Sequence, residues 1–215
     1  MRVLITAGPT YEPIDPVRFI GNHSTGKMGY ALAEAFAETG AHVTLISGPT
    51  QLTVQHAAIQ KVEVETADQM FAAATAAAPE ADIWVFAAAV ADYKPRHVAE
   101  NKIKKAGDTL TLELVKNVDI AATLGRTKRP EQFSVGFALE TINEEAHARE
   151  KLERKNFDLI VLNSLRDNGA GFRHDTNKVT LLEAGGQMSI FELKPKAEVA
   201  RDIVRTVLAR LHPDA

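Results

Sequence analysis

Residues 3–29 read VLITAGPTYEPIDPVRFIGNHSTGKMG, and this stretch decides the fold. Val3, Leu4 and Ile5 form a short apolar strand that runs into Thr6-Ala7-Gly8. A loop carrying Pro9, Pro13 and Pro16 follows, and Gly21-Asn22-His23-Ser24-Thr25-Gly26-Lys27 then opens an alanine-rich amphipathic segment. A strand that feeds a glycine-bearing loop and a helix start is suited to an anion. The first helical N–H groups lack partners, and the helix dipole is positive there. A phosphate or carboxylate is the expected ligand. The spacing Gly21-x-x-x-x-Gly26-Lys27 is that of a Walker loop, whose next residue is a Ser or Thr that holds magnesium. Met28 cannot do this, and a proline-studded loop separates these glycines from the strand. The dinucleotide pattern GxGxxG is also missing.

Working outward, the pattern predicts a helix over 25–39, with Ser24 as its N-cap and Gly40 just past its end. Strands are expected at 42–46 and 61–65, and an alanine-rich helix at 67–78. Residues 83–90 form a continuous apolar run, the mark of a central parallel strand covered on both faces. Similar strands are expected at 133–138 and 159–162, with a helix over 143–155 between them. Strands alternating with helices argue for an α/β, Rossmann-like, doubly wound and mostly parallel sheet. Two segments break the rhythm. Residues 92–116 read as an inserted β-ribbon or flap, including an alternating strand at 109–114. Residues 178–183 and 188–193 flank Gly185-Gly186 as a β-hairpin, and a closing helix runs over 195–211.

The 215 residues read as a single domain, 1–215, with the flap inserted at about 92–116. A 45% hydrophobic content suffices for a full core, and the dispersed charges, net −3, argue against a nucleic-acid surface. The absence of cysteine excludes disulfides, thiolate metal sites and thiol nucleophiles together. No apolar run approaches the roughly 20 residues a membrane helix needs, so no membrane is expected and a cytoplasmic location is.

Ligands of open α/β sheets bind beyond the carboxyl ends of the strands. Asp92 follows Ala87-Ala88-Ala89-Val90-Ala91, whose small side chains would let a ring approach the backbone. Helix packing is the competing reading of that run. Asn163 and Glu140 end other strands, where turn formation is the plain alternative. Lys102, Lys104 and Lys105 are either a solvated edge or a cluster that neutralises a polyanion. Lys151 and Lys155 share a helix face and could simply pair with nearby glutamates. His23 is a possible base or a loop residue. No histidine spacing suggests a transition-metal site, and no tyrosine has a lysine four residues on, which weakens a dehydrogenase reading.

Taken together, the sequence resembles the phosphopantothenoylcysteine synthetase family of coenzyme A biosynthesis. The matching pieces are Ile5-Thr6-Ala7-Gly8-Pro9-Thr10, Asp15-Pro16-Val17-Arg18-Phe19-Ile20 and Asn22-His23-Ser24-Thr25-Gly26-Lys27-Met28-Gly29. Ala88-Ala89-Val90-Ala91-Asp92-Tyr93, Lys102-Ile103-Lys104-Lys105 and Gly136-Phe137-Ala138-Leu139-Glu140-Thr141 continue the match. Arg154-Lys155-Asn156-Phe157-Asp158-Leu159-Ile160 and Gly171-Phe172 complete it, in order along nearly the whole chain.

The resemblance implies a ligase of the bacterial type. CTP, with magnesium, activates the carboxylate of 4′-phosphopantothenate as an acyl-cytidylate, releasing pyrophosphate. The amine of L-cysteine then displaces CMP. It further implies that Asn22 engages the substrate carboxylate and the acyl intermediate, that Lys102 belongs to a flexible flap needed for turnover, and that Arg18 lies beside the substrate loop. Phe86, Ala87 and Ala88 would hold the cytosine ring, with Asp92 on the triphosphate side. Val118, Asp119, Ile120, Ala121, Phe137, Lys151 and Lys155, together with Lys102, would complete the nucleotide contacts. Magnesium would sit on the CTP phosphates. The family also implies a homodimer that exchanges its β-ribbons, and a flavin-dependent decarboxylase as a fused domain or separate protein. One position departs from the pattern. After Lys116-Asn117 the family has proline, whereas this chain has Val118, which adds an N–H and frees φ. The competing readings are an NAD(P)-linked reductase on a similar fold, separable by NADPH titration, and a non-catalytic nucleotide-binding module that releases no pyrophosphate.

Overall fold

The computed structural model describes residues 1–105, 107–140, 142–164 and 174–211, with Glu140 and Ser164 described by their backbone alone. The strand-end proposal for Glu140, and the motif positions Thr141, Gly171 and Phe172, therefore lie outside the described side chains.

The chain enters through β1 (Arg2–Ala7), whose alternation places Val3 and Ile5 on one face of the sheet and Leu4 on the other. A short antiparallel pair follows, β2 (Tyr11–Pro13) with β3 (Phe19–Gly21), which the sequence reading did not foresee. It is pinned by the stacked rings of Tyr11 and Phe19, with centroids 3.8 Å apart. Helix α1 (Lys27–Glu38) then returns beneath β4 (His42–Ser47) and β5 (Ile59–Glu63). Its N-cap is Gly26, not the expected Ser24. Gly26 has φ +78°, and its Cβ position would lie 3.3 Å from the Gly8 Cα, so the turn needs a residue that enters the left-handed region at little cost. Ser24 instead accepts from the Gly26 N–H.

Helix α2 (Ala67–Ala77) starts in a capping box: Thr66 accepts from the Gln69 N–H while the Gln69 side chain reaches back to the N-cap backbone. A 3-10 turn, Ala78–Glu80, leads into β6 (Ile83–Phe86). The expected strand over 83–90 is thus halved. Beyond Phe86 the chain leaves its β9 neighbour and follows only the extension of β1. The Ala87 N–H donates to Thr6 O and the Ala89 N–H to Gly8 O. The flap is also shorter in strand than expected. Among the described residues it holds β7 (Tyr93–Pro95) paired with β8 (Leu114–Lys116), and residues 109–113 are not strand, although the Arg96 N–H donates to Glu113 O. Helix α3 (Ile120–Gly125), capped by Asp119, was not expected either.

The second half runs β9 (Phe133–Glu140), α4 (Glu144–Arg154) and β10 (Leu159–Ser164). The hairpin β11 (Thr176–Glu183) with β12 (Met188–Pro195) and the closing helix α5 (Lys196–Leu211) follow as expected. The eight-stranded sheet has the order β12-β11-β10-β9-β6-β1-β4-β5, parallel from β5 to β10 and antiparallel at β11 and β12. One face is covered by α1 and α5 through Leu32, Phe36, Val199, Ile203 and Val207. The other is covered by α2, α3 and α4 through Met70, Ala74, Ile120, Leu124, Ala148 and Leu152. This three-layer arrangement is the doubly wound α/β fold that the sequence implies.

Gly136 in β9 shows how tightly the second face is packed. A Cβ there would stand 2.0 Å from the Phe157 ring, which in turn lies 5.8 Å from the Phe86 ring. Gly136→Ala forces Phe157 out of its seat. The expected cost is about 2 kcal/mol, or roughly 4–8 °C of melting temperature. A thermal melt checks it, and an unchanged midpoint would show that the ring has room to give.

Candidate functional site

Two cavities open at the carboxyl ends of the parallel strands, and they share a wall made of Ala88, Ala89, Val90, Phe137 and Lys151. A broader concavity of 670 Å³ lies at the opposite end, against the starts of β1, β4 and β5, and gathers none of the residues singled out above.

The first cavity, 390 Å³, lies between the end of β6, α3 and the end of α4. Phe86 and Phe157 give it an aromatic floor, and Ile120 and Ala121 of α3 close one side. Val118, Asp119 and Asp92 border it together with Lys151 and Lys155. Asp119 is fixed twice: its Oδ1 accepts from the Ala122 N–H at 3.1 Å and from the Lys155 Nζ at 3.0 Å. Burial opposes its ionisation, but the Ala122 N–H and the Lys155 ammonium outweigh burial and hold the carboxyl below the usual range. The result is a small cleft with two flat apolar rings at the bottom, a carboxylate fixed at one side and two lysines at the rim.

The second cavity, 330 Å³, lies over the N-terminus of α1. Asn22, Ser24, Thr25, Gly26 and Lys27 line it on that side, and Ala87 on the other. The N-cap residue of α1, Gly26, has no side chain to accept from the first N–H groups where the cavity opens. The Asn22 Nδ2 donates to the carbonyl oxygens of Ala89, at 2.9 Å, and Val90, at 3.3 Å. Asn22 therefore clips the loop of α1 to the wall that both cavities share.

Twelve of the fourteen residues expected at the site thus border one cavity or both. Asn22, Phe86, Ala87, Ala88 and Asp92 do so, as do Val118, Asp119, Ile120, Ala121, Phe137, Lys151 and Lys155. Lys102 and Arg18 do not. Lys102 is exposed on the flap, as are Lys104 and Lys105. Arg18 is engaged elsewhere, pairing through its guanidinium with the buried Asp15. It also donates to Ile103 O at 3.2 Å, while the Ile103 N–H donates to Asp15 Oδ2 at 3.1 Å. The Arg18 guanidinium holds the Asp15 carboxyl far below the usual range, against the effect of burial. In this chain Arg18 ties the middle of the flap beside Lys102. His23 borders neither cavity, whereas Asn163, first noted as a strand end, borders the second.

Sequence reasoning passed over Asn117, Asn177 and Lys196, and it set Lys27 aside with the Walker pattern. Asn117 is buried below Asp92. Its backbone N–H donates to Asp92 O and its Nδ2 to Ala91 O, each at 2.8 Å. The signal was present in the Lys116-Asn117 pair that ends β8. Asn177 and Lys196 come from the C-terminal hairpin and helix, and nothing local marks them. At the Val118 position the side chain is 41% exposed and stands at the mouth of the first cavity.

Comparison with known proteins agrees with this fold. A family profile described as the DNA/pantothenate metabolism flavoprotein C-terminal domain matches residues 1–211. A cysteine/cysteine sulfinic acid decarboxylase from an unknown prokaryotic organism is 50% identical over 211 residues, which is 98% of this chain and 59% of that protein. The coenzyme A biosynthesis bifunctional protein CoaBC of Haemophilus influenzae is 46% identical over 210 residues, 98% of this chain and 52% of that protein. The chain thus spans little more than half the length of these curated relatives. The crystal structure of the C-terminal domain of CoaBC is similar with a TM-score of 0.84 at 42% identity, over 99% of this chain and 96% of that one. With the profile and these relatives extending over nearly its whole length, the chain belongs to the family of DNA/pantothenate metabolism flavoprotein C-terminal domains.

Proposed function

We propose that this chain is a phosphopantothenate–cysteine ligase that uses CTP. The observation that carries the reading is the shared wall. A cleft fitted to a base and ribose meets a second, amide- and lysine-bordered cavity at Lys151, with Asn22 clipped to the seam. A reaction between a nucleotide and an acyl substrate needs this adjacency. The base lies over the Phe86–Phe157 floor, Asp119 faces the ribose hydroxyls, and Lys151 and Lys155 meet the phosphates. A carboxylate oxygen of 4′-phosphopantothenate attacks the α-phosphorus of CTP, and pyrophosphate leaves with the electron pair of the broken P–O bond. The cysteine amine then attacks the acyl carbon, CMP leaves, and the amine proton passes to solvent. Such chemistry asks the protein mainly for positioning and for fixed positive charge.

Among the described residues no group of three or more His, Cys, Asp or Glu side chains converges on a metal position. Magnesium would be carried on the CTP phosphates, where its charge would offset part of theirs. A homodimer fits the exposed apolar side chains concentrated near the β2–β3 pair and the flap: Val17, Phe19, Tyr93, Val98, Leu110 and Leu114. The reaction belongs to the cytoplasm. A flavin-dependent decarboxylase is the natural consumer of the cysteine adduct, and the greater length of the relatives leaves room for one. None of the described helices is long and apolar enough to cross a membrane.

Pyrophosphate release tests the proposal. Each nucleoside triphosphate is supplied with 4′-phosphopantothenate, with and without cysteine. CTP should support release at least tenfold better than ATP, because a pyrimidine suits the small cleft above Ala88. CMP and the cysteine adduct should form only when cysteine is present. Equal use of ATP would remove the CTP claim, and no release with any nucleotide would remove the ligase reading.

A further inference from the structure

Asn156 borders neither cavity, and the reaction just described does not use it. It follows Lys155, the C-cap of α4, and has φ +55°. Glycine is the cheapest residue in that left-handed turn, and asparagine the usual second choice. Stopping the helix therefore does not require the asparagine side chain. The structure gives that side chain a second task. Its Nδ2 donates at 2.9 Å to the carbonyl oxygen of Gly125, the last residue of α3. Its neighbour Lys155 donates Nζ to Asp119, the N-cap of the same helix. Two consecutive residues thus grip α3 at both ends. With only six residues, α3 is too short to be held by its own hydrogen bonds.

The grip has a fixed base. The Asn156 carbonyl oxygen accepts from Lys128 Nζ at 2.7 Å and from Ser134 Oγ at 3.1 Å, and Ser134 belongs to β9. Lys128 Nζ also donates to Asp158 Oδ2 at 2.7 Å, one residue before β10. The turn after α4 is therefore tied to two neighbouring strands, and α3 is tied to the turn. The approach is close, since a Cβ on the buried Gly125 would overlap the Lys155 carbonyl oxygen.

We propose that Asn156 is a positioning residue that sets the width of the nucleotide cleft, and with it the choice of pyrimidine over purine. That a nucleotide binds in this cleft rests on the ligase reading; the residue that gauges the cleft goes beyond it. Ile120 and Ala121 of α3 form one side of the cleft. A wall that retreats by roughly 0.5–1 Å forfeits about a quarter to a half of its dispersion contact with a ring it had touched. Without the Nδ2 bond only the Asp119 end of α3 is gripped, and the helix pivots about it. A cytosine then loses its close wall. A purine, too large for the closed cleft, gains room that offsets the same loss.

Titration calorimetry with magnesium–CTP and magnesium–ATP tests this on the unaltered chain, Asn156→Gly and Asn156→Asp. Glycine and aspartate both tolerate the left-handed turn, and neither glycine nor an ionised aspartate offers a side-chain donor to Gly125. In both variants CTP should bind about fivefold or more weakly and ATP within about twofold, so the preference narrows. The KM for 4′-phosphopantothenate in ligation should stay within about twofold. A residue that only stops the helix predicts otherwise for Asn156→Gly: an equal or higher melting temperature and an unchanged preference. Unchanged CTP affinity, or an equal loss of CTP and ATP, would overturn the proposal while leaving the ligase reading intact. An unaltered chain that binds CTP and ATP alike would overturn it too. If the unaltered chain binds CTP yet ligates no cysteine, the ligase reading falls, and the two affinities still decide on Asn156. If it binds neither nucleotide, both fall.

Discussion

Asn22→Asp is expected to leave a folded protein that ligates cysteine at least about tenfold more slowly. Asparagine and aspartate are nearly isosteric, so packing hardly changes. What changes is the sense of two hydrogen bonds. The Nδ2 donates to the carbonyl oxygens of Ala89 and Val90, and an ionised carboxylate cannot. The replacement turns two attractions into oxygen–oxygen repulsions on the wall that both cavities share. It also adds negative charge where an anionic substrate and a triphosphate must meet. Sequence considerations alone predict an unchanged melting temperature, but the two bonds in the structure predict a small fall. Each bond is exposed and lies at the low end of about 0.5–1.5 kcal/mol, so the two together cost about 1 kcal/mol and the fall should be roughly 2–4 °C. Circular dichroism, thermal melting and steady-state ligation separate the outcomes. Near-normal ligation by the folded variant would reduce Asn22 to a clip for the loop.

Lys102→Gln should cost roughly a hundredfold in turnover, about 3 kcal/mol, with no change in melting temperature. Lys102 is exposed and borders neither cavity, so its removal breaks no packing. Its next neighbour in the chain, Ile103, is tied by its N–H to Asp15 and by its carbonyl to Arg18. The flap is thus tied near its middle, which gives Lys102 a held base from which its long side chain is to reach the phosphates when the nucleotide is bound. A charge brought into a closed, water-poor site acts far more strongly than the same charge in solvent. Single-turnover pyrophosphate release reads the effect on the activation step. Wild-type release by Lys102→Gln would show that the flap does not deliver this charge, and a lowered melting point would show a structural part instead.

The residues that border the two cavities were largely legible because they sit where strands end, and strand ends follow from apolar periodicity. The segment from Phe86 to Asp92 and Asn163 stand at or just beyond the end of a parallel strand, Asn22 follows the antiparallel β2–β3 pair, and Phe137 lies within β9. What the sequence concealed was decided by partners. The apolar run 83–90 looks uniform, yet β9 accompanies it only as far as Phe86. Residues 109–113 alternate like a strand, yet among the described residues the ladder with β7 takes in only Leu114 to Lys116. Ser24 is a better cap than glycine by propensity, but the close approach to Gly8 demands a left-handed turn that only glycine makes cheaply. Lys196 and Asn177 stayed hidden for the simplest reason. Their place beside Lys27 depends on an antiparallel hairpin turning α5 back onto α1, and no local pattern encodes that return.

The packing of α5 against α1 also sets a schedule for synthesis. The apolar stripe of α1 is made early, and the helix that covers it, with Val199, Ile203 and Val207, is the last described element to leave the ribosome. At 5–20 residues per second the interval between Lys27 and Lys196 is roughly 10–30 s. During that time the flank of α1 that packs against α5 stays uncovered, which makes the nascent chain a client for holding chaperones. A chain stopped short of α5 keeps that stripe exposed for good. Truncated products should therefore be cleared by proteolysis rather than accumulate as half-competent enzyme.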